Sequence, residues 1–247
     1  MCIVKTRNLR KIYKGYKGFL RKRKISALTD LNLEVRRGEV FGLLGLNAAG
    51  KSTVLKILLG LTFPSAGEFK LLEKNGITPS VKQRVGFLPE NPSLYRYLSA
   101  WEFLDLCARL FKLRGKEKKK RIEELLDLVE LRDVKRVRIG EFSKGMIQRL
   151  GIASSLVNNP ELIFLDEPMS GLDFLGRKKI KNIILKLKRE GKTIIFSSHI
   201  LSEVEEICDR IGILHKGRLI CLKDIDELKK EGISLEELFL QQIESRT

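Results

Sequence analysis

Gly45-Leu46-Asn47-Ala48-Ala49-Gly50-Lys51-Ser52-Thr53 is the stretch on which the reading of this chain turns. The apolar run Val40-Phe41-Gly42-Leu43-Leu44 precedes it, and Val54-Leu55-Lys56-Ile57-Leu58-Leu59 follows. The first run predicts a buried strand and the second a helix. A glycine-bounded turn between them aims its backbone N–H groups, and those of the first helical residues, at one spot. The helix dipole favours negative charge there. Lys51 adds a full positive charge suited to the β- and γ-phosphates of a nucleotide, and Ser52 a hydroxyl suited to Mg²⁺. The spacing G-x-x-x-x-G-K-S/T sits between strand and helix, as a phosphate cradle requires. An ordinary strand–turn–helix with a chance lysine is the plain alternative.

The size of the chain, 247 residues, fits one large domain or a domain with a subdomain. No run approaches the ~20 apolar residues of a membrane span, and Met1-Cys2-Ile3-Val4-Lys5 lacks the apolar core of a signal peptide. The expected place is therefore the cytosol, unless a partner carries the chain to a membrane. Cys2, Cys107, Cys208 and Cys221 are scattered and suggest neither a zinc site nor a disulfide framework. The formal charge of +17 gathers at Lys5–Lys24, Lys112–Arg121 and Arg177–Arg189. Such surfaces face nucleic acid, anionic lipid or an acidic partner, or are simply solvated.

Working outward, Ile3-Val4 begins a short strand, and the basic, aromatic-bearing segment Arg10–Lys24 reads as a loop or hairpin extension. Ala27–Val35 alternates from Leu31 onward as a half-buried strand does, so the early strands predict an antiparallel side sheet. Pro64–Glu68 reads as a turn and Val85–Leu88 as a buried strand running into Pro89-Glu90-Asn91-Pro92. From Ser99, an N-cap with Glu102 three residues on, the pattern turns helical, and no strand is expected before Phe142. Ser143 opens another helix, which stops at Asn158-Asn159-Pro160. Leu162-Ile163-Phe164-Leu165-Asp166 and Thr193–Ser197 read as strands buried on both faces, as in a parallel sheet, with the helix Leu175–Glu190 between them. A hairpin over 211–221 and a helical tail complete the chain.

Asp166 ends a buried strand, and in parallel α/β sheets ligands bind beyond such ends, so Asp166 is expected beside the phosphate loop. An aspartate there holds Mg²⁺, and Glu167, aimed differently, orients or deprotonates a water. His199 ends the next strand, although a lone histidine is more often structural.

These residues carry a family resemblance. The order is the phosphate loop, a helical insertion, Phe142-Ser143-Lys144-Gly145-Met146-Ile147-Gln148-Arg149, Leu165-Asp166-Glu167-Pro168, Ser170-Gly171-Leu172-Asp173 and Ser198-His199. It resembles the nucleotide-binding domain of ABC transporters over nearly the whole chain. The resemblance implies an α/β P-loop NTPase with a RecA-like, mainly parallel sheet, an N-terminal antiparallel side sheet and an all-helical insertion. The implied division is an ATP-binding core over 1–90 and 157–222, a helical subdomain over 91–156 and a helical tail over 223–247.

It implies further that Gly45, Asn47, Ala48, Ala49, Gly50, Lys51, Ser52 and Thr53 bind the phosphates of ATP. Ser52, Asp166 and Glu90 serve Mg²⁺, and Glu167 and His199 are the catalytic carboxylate and switch histidine. Ser143 and Gly145 match the signature motif that meets ATP held by another copy, and Asp173 lies in a segment at the dimer interface. Tyr13, with Tyr16 as second choice, matches the aromatic that stacks on adenine. The implied partners are an integral-membrane permease and a second ATPase, identical or sister, at the cytoplasmic face of the cell membrane. No nucleic acid is expected. The variants Leu-Pro-Glu and Ser-Lys-Gly-Met resemble the exporter branch paired with six-helix permeases for drugs, antibiotics or Na⁺. Ala48 stands where the family usually has glycine, Lys144 replaces a signature glycine, and Glu90 stands where a glutamine is usual. An ABC-type ATPase acting on nucleic acid or ribosomes is the alternative, motivated by the charge.

Overall fold

The computed structural model describes residues 1–17 and 21–245, with side chains outside 15–23. The chain runs β1 (Cys2–Lys17), β2 (Arg21–Leu31), β3 (Glu34–Arg36), β4 (Val40–Leu44), α1 (Lys51–Leu58), β5 (Ala66–Leu71), β6 (Lys74–Asn75) and α2 (Pro79–Lys82). Then come β7 (Val85–Leu88), α3 (Ala100–Leu110), α4 (Gly115–Leu128), α5 (Lys144–Ser155), β8 (Leu162–Asp166), α6 (Phe174–Arg189) and β9 (Thr193–Ser198). The last elements are α7 (Leu201–Ile207), β10 (Arg210–His215), β11 (Arg218–Asp224), α8 (Ile225–Glu231) and α9 (Leu235–Glu244). The residues group into two compact units, one of 1–82 with 195–247 and one of 83–194.

In the first unit the antiparallel strands run in the order β2-β1-β5-β6, with β3 also on β1. The expected side sheet is present, but β1 is far longer than the short strand read from Ile3-Val4. It continues through the basic segment because β2 pairs with it as far as Lys17 opposite Arg21. The hairpin option for Arg10–Lys24 is therefore correct as far as that segment is described, while Gly18, Phe19 and Leu20 lie outside the described residues. The single strand expected over 27–35 divides at Asn32. Asp30 takes a left-handed φ of 50°. The Thr6 hydroxyl donates to the Leu31 carbonyl at 2.9 Å and accepts from the Leu33 amide at 2.8 Å, replacing the interrupted ladder. Leu31, Leu33 and Val35 stay buried, so the alternation held where the strand did not. The turn read over 64–68 is shorter, since Ala66 already pairs with Arg10 in β5.

β4, the strand before the phosphate loop, pairs parallel with β10, which turns back into β11. A Cβ on Gly42 would lie 2.7 Å from the Cys208 sulfur, so the chain around α7 packs directly on β4 backbone. At the start of β4 the buried Arg210 guanidinium meets Glu39 at 3.0 Å, while that carboxylate accepts from the Arg36 amide at 2.7 Å. A buried charge pair is tolerable when further hydrogen bonds satisfy it in this way.

In the second unit β7 pairs parallel with β8, in the register Val85 opposite Leu162. Asn158 donates to the Gln83 and Val85 carbonyls at 2.9 and 3.1 Å. Ser99 and Glu102 form the expected capping box on α3, and among the described residues no strand lies between Pro92 and Phe142. α4 and α5 cap each other. Arg149 of α5 donates to the Val129 and Glu130 carbonyls, the latter at 3.0 Å, at the end of α4. Arg121 of α4 donates to the Leu156 carbonyl at 2.6 Å, at the end of α5. The last carbonyls of a helix lack intrahelical donors and carry partial negative charge, so each guanidinium satisfies the other helix's end.

Candidate nucleotide site

The phosphate loop is shaped by close backbone approaches. A Cβ on Gly45 would lie 2.5 Å from the Leu214 carbonyl oxygen, and one on Gly50 2.8 Å from that of Ala27. The Gly217 amide donates to the Ala49 carbonyl at 2.9 Å, and the Gly217 carbonyl accepts from Thr29 at 2.8 Å. The loop is thus gripped by the β10–β11 turn and by β2, and neither contact is signalled by spacing within the motif.

Ala48 sits at φ 63°, the left-handed conformation that glycine adopts without strain. The backbone keeps that conformation without the usual glycine. α1 begins at Lys51 with Gly50 as a cap that has no side chain and with no acid in its first turn. The dipole of such a helix start favours an anion, and no acid of its own first turn offsets it. Lys51 is 6% exposed, and its ammonium donates to the Gly45 carbonyl at 2.7 Å, placing the charge inside the curve of the loop. Leu46, Asn47 and Ala48 form the exposed crest, and Ser52 and Thr53 are half-buried at the start of the helix. His199 is exposed in the same unit, one residue beyond β9. Tyr13 is also in this unit. It pairs with Ile25 in the β1–β2 ladder, is partly exposed, and has the Lys11 ammonium 4.9 Å from its ring centre. The side chain of Tyr16 lies outside the described residues.

The second unit carries the other candidates. Asp166 is the last residue of β8 and is 7% exposed. Glu167 follows at φ 47°, which turns its side chain away from the strand's alternation. A non-glycine residue held there stores strain of order 1–3 kcal/mol, a pattern typical of functional positions. Glu90 is exposed, two residues past β7.

Ser143 caps α5, its hydroxyl accepting from the Met146 amide at 3.3 Å, and the first turn of α5 contains no acid. Gly145 lies in that turn. A cavity of about 410 Å³ opens beside it, walled in part by Ser143, Gly145, Arg149, Gly171, Asp173 and Lys179. Asp173 caps α6, accepting from the Gly176 amide at 2.7 Å. The ammonium of Lys144 lies against Gly171, where a Cβ would come within 2.2 Å of it. Arg149 is buried, which lowers its pKa, and it fixes the helix below the cavity. Its importance was not legible, because nothing in the sequence says which carbonyls a lone arginine will meet.

The family model described as ABC transporter matches residues 28–170. The chain belongs to the ABC transporter family. An uncharacterized ABC transporter ATP-binding protein of Nostoc sp. is 54% identical over 92% of this chain and 68% of its own length. The bacitracin transport ATP-binding protein BcrA of Bacillus licheniformis is 39% identical over 93% of this chain and 72% of its own length. The chain thus spans about two thirds of the length of these relatives. A solved ATP-binding cassette, dimeric in a post-hydrolysis state with ADP and Pi, superposes with a TM-score of 0.80 at 29% identity, over 90% of this chain and 98% of that one. This chain is an ABC ATPase cassette with the P-loop NTPase fold. Among the described residues no helix is long and apolar enough to cross a membrane.

Proposed function

We propose that this cassette is the ATP-hydrolysing subunit of an exporter, pairing with a second ATPase and with a separate membrane permease. One observation carries the proposal: each unit holds its own anion-facing helix start, α1 at Lys51 and α5 at Ser143. One ATP needs one cradle, and a second grip on the same chain suits a nucleotide held by another copy. Two copies facing head to tail would each close the other's site, with ATP as the adhesive and its hydrolysis as the release. The solved relative that is dimeric with ADP and Pi supports this arrangement. The relative named for bacitracin transport supports the exporter branch, and a subunit of that kind would sit at the cytoplasmic face of the cell membrane.

The roles follow the motifs. Gly45, Asn47, Ala48, Ala49, Gly50, Lys51 and Thr53 bind the phosphates, and Tyr13 stacks on adenine. The Ser52 hydroxyl with the Asp166 and Glu90 carboxylates would hold Mg²⁺. These are hard oxygen donors, as that ion prefers. Among the described residues no cluster of three or more His, Cys, Asp or Glu forms a metal cage. Mg²⁺ is commonly bound through one or two carboxylates together with substrate phosphates. When bound, the ion neutralises developing phosphate charge. Glu167 takes the proton of the attacking water, His199 senses the γ-phosphate, and Ser143 with Gly145 meets the γ-phosphate on the other copy.

Glu167→Gln tests the reading. It should leave ATP binding intact, lower turnover by about 10²–10⁴-fold as loss of a general base does, and accumulate an ATP-dependent dimer on a sizing column. Normal hydrolysis by that variant would remove Glu167 from its role, and a variant monomeric in ATP would remove the pairing.

A further inference from the structure

Another cavity of the second unit has no part in the roles above. It holds about 610 Å³, a volume within the range of small-molecule sites. Trp101 of α3 and Lys119 of α4 line it, together with Lys135, Arg136 and Arg138 of the segment that leads to Ser143. Lys119 belongs to the basic run 112–121, which the ATPase leaves unexplained. Backbone hydrogen bonds lay the segment along the start of α3. The Trp101 amide donates to the Lys135 carbonyl at 2.9 Å, and the Ile139 and Gly140 amides donate to the Leu98 and Arg96 carbonyls at 2.8 Å each. The main chain that carries three of the cations is thus fixed at the cavity before any ligand arrives, which lowers the ordering cost of binding.

The charge gathered there is not neutralised. Among the described residues Lys119, Lys135, Arg136 and Arg138 stand in no ion pair, whereas their neighbours do: Lys118 meets Asp105 at 2.5 Å, Arg121 meets Glu124 at 3.6 Å and Arg132 meets Asp127 at 2.7 Å. Two acids, Glu102 and Glu123, also line the cavity. Glu102 is engaged by the α3 cap, accepting from the Ser99 amide and hydroxyl at 2.8 Å each. The Ser99 amide first, then its hydroxyl, hold that carboxyl below the usual range, and Arg138 contributes least. Lys135 is held by a ring instead, its ammonium 5.6 Å from the centre of Trp101. A ring attracts a cation through its quadrupole and leaves the net charge in place.

We propose that this cavity binds a small phosphate-bearing anion with at least two negative charges. Four cations against two carboxylates leave a surplus that a dianion matches. The guanidinium groups of Arg136 and Arg138 suit phosphate oxygens, which such groups meet in pairs of parallel hydrogen bonds.

Trp101 is the single tryptophan of the chain, so its fluorescence reads this cavity. Titrating the full chain with inorganic pyrophosphate should change that emission and saturate, and sodium sulfate at matched ionic strength should not. Phosphatidylcholine vesicles containing phosphatidic acid form a second arm. A saturating change with the vesicles alone places the phosphate on a lipid headgroup, and one with pyrophosphate places it in solution. Arg136→Gln with Arg138→Gln should weaken the response by about a hundredfold, at about tenfold for each charge-assisted hydrogen bond lost, with ATP turnover unchanged. Lys119→Gln should weaken it by about tenfold on the same reckoning while leaving the segment 135–138 untouched, which guards against a folding defect in the first variant. A response to neither source, an equal response to sulfate, or a response that both variants leave unchanged would each overturn the proposal. A response abolished by Lys51→Ala would assign the anion to the phosphate loop and overturn it likewise. Turnover in Glu167→Gln bears on the ATPase roles alone, so the two readings fail separately.

Discussion

The two helix starts proposed to face phosphates are built on opposite principles. At α1 the cap is a glycine, and the loop is held by outside backbone: the Leu214 and Ala27 carbonyls behind Gly45 and Gly50, and Gly217 on Ala49. At α5 the cap is the Ser143 hydroxyl, which already accepts from the Met146 amide, and the helix is steadied from behind by the buried Arg149. The first holds a buried lysine ammonium inside the curve of its loop and is proposed to grip a phosphate with backbone. The second presents a hydroxyl and a short run of amides on an exposed rim. The difference teaches that an anion site can be shaped by its surroundings or by its own cap, and that the first kind tolerates an imperfect sequence. Ala48 in a left-handed conformation is the example.

Three substitutions break or sharpen that contrast. Lys51→Ala removes the charge at the centre of the cradle. Charge-assisted hydrogen bonds are worth about 1.5–3 kcal/mol each, so ATP affinity measured by calorimetry should fall by roughly a hundredfold or more, with the fold intact by circular dichroism. Unchanged affinity would mean that the backbone alone makes the cradle.

Arg149→Met keeps the bulk of the α5 side chain but strips the donor from the end of α4. Leaving buried carbonyls unsatisfied costs about 1–3 kcal/mol per group. At about 3 kcal/mol in all, the melting temperature should drop by roughly 6–12 °C for a chain of this size. A drop of under one degree would show that water serves those carbonyls as well as the guanidinium does.

Ala48→Gly should be the smallest effect and the opposite in sign. Relief of the left-handed alanine, about 1–2 kcal/mol, less the entropy cost of glycine at about 0.4–1 kcal/mol, predicts a gain of roughly 0.5–1 kcal/mol. That corresponds to a melting temperature raised by about 2 °C. A lower melting temperature would mean that the methyl group packs favourably enough to outweigh its backbone strain.

Much of this architecture was legible because local patterns carry their own physics. The run Leu162–Leu165 had to be a strand buried on both faces, and it is. Ser99 with Glu102 had to cap a helix, and both halves of that box form. The family order of motifs identified the cassette. The misreadings share one cause. The length of β1 and the division of β2 from β3 are decided by what pairs across the sheet: β2 and β5 extend β1, and the Thr6 hydroxyl stands in at the break. Pairing partners are remote in sequence, so a window of residues cannot register them.

The phosphate loop itself shows where the boundary falls. Its glycines, lysine and serine, with the strand before and the helix after, made a nucleotide-phosphate site the expectation by themselves, because spacing alone sets which amides and which charge share one turn. Whether the loop could keep its shape with alanine at position 48 was decided by tertiary structure. The carbonyls of Leu214 and Ala27, from β10 and β2, and the amide of Gly217, from the β10–β11 turn, reach the loop and fix its backbone. That fixing holds one residue in a conformation its own side chain disfavours.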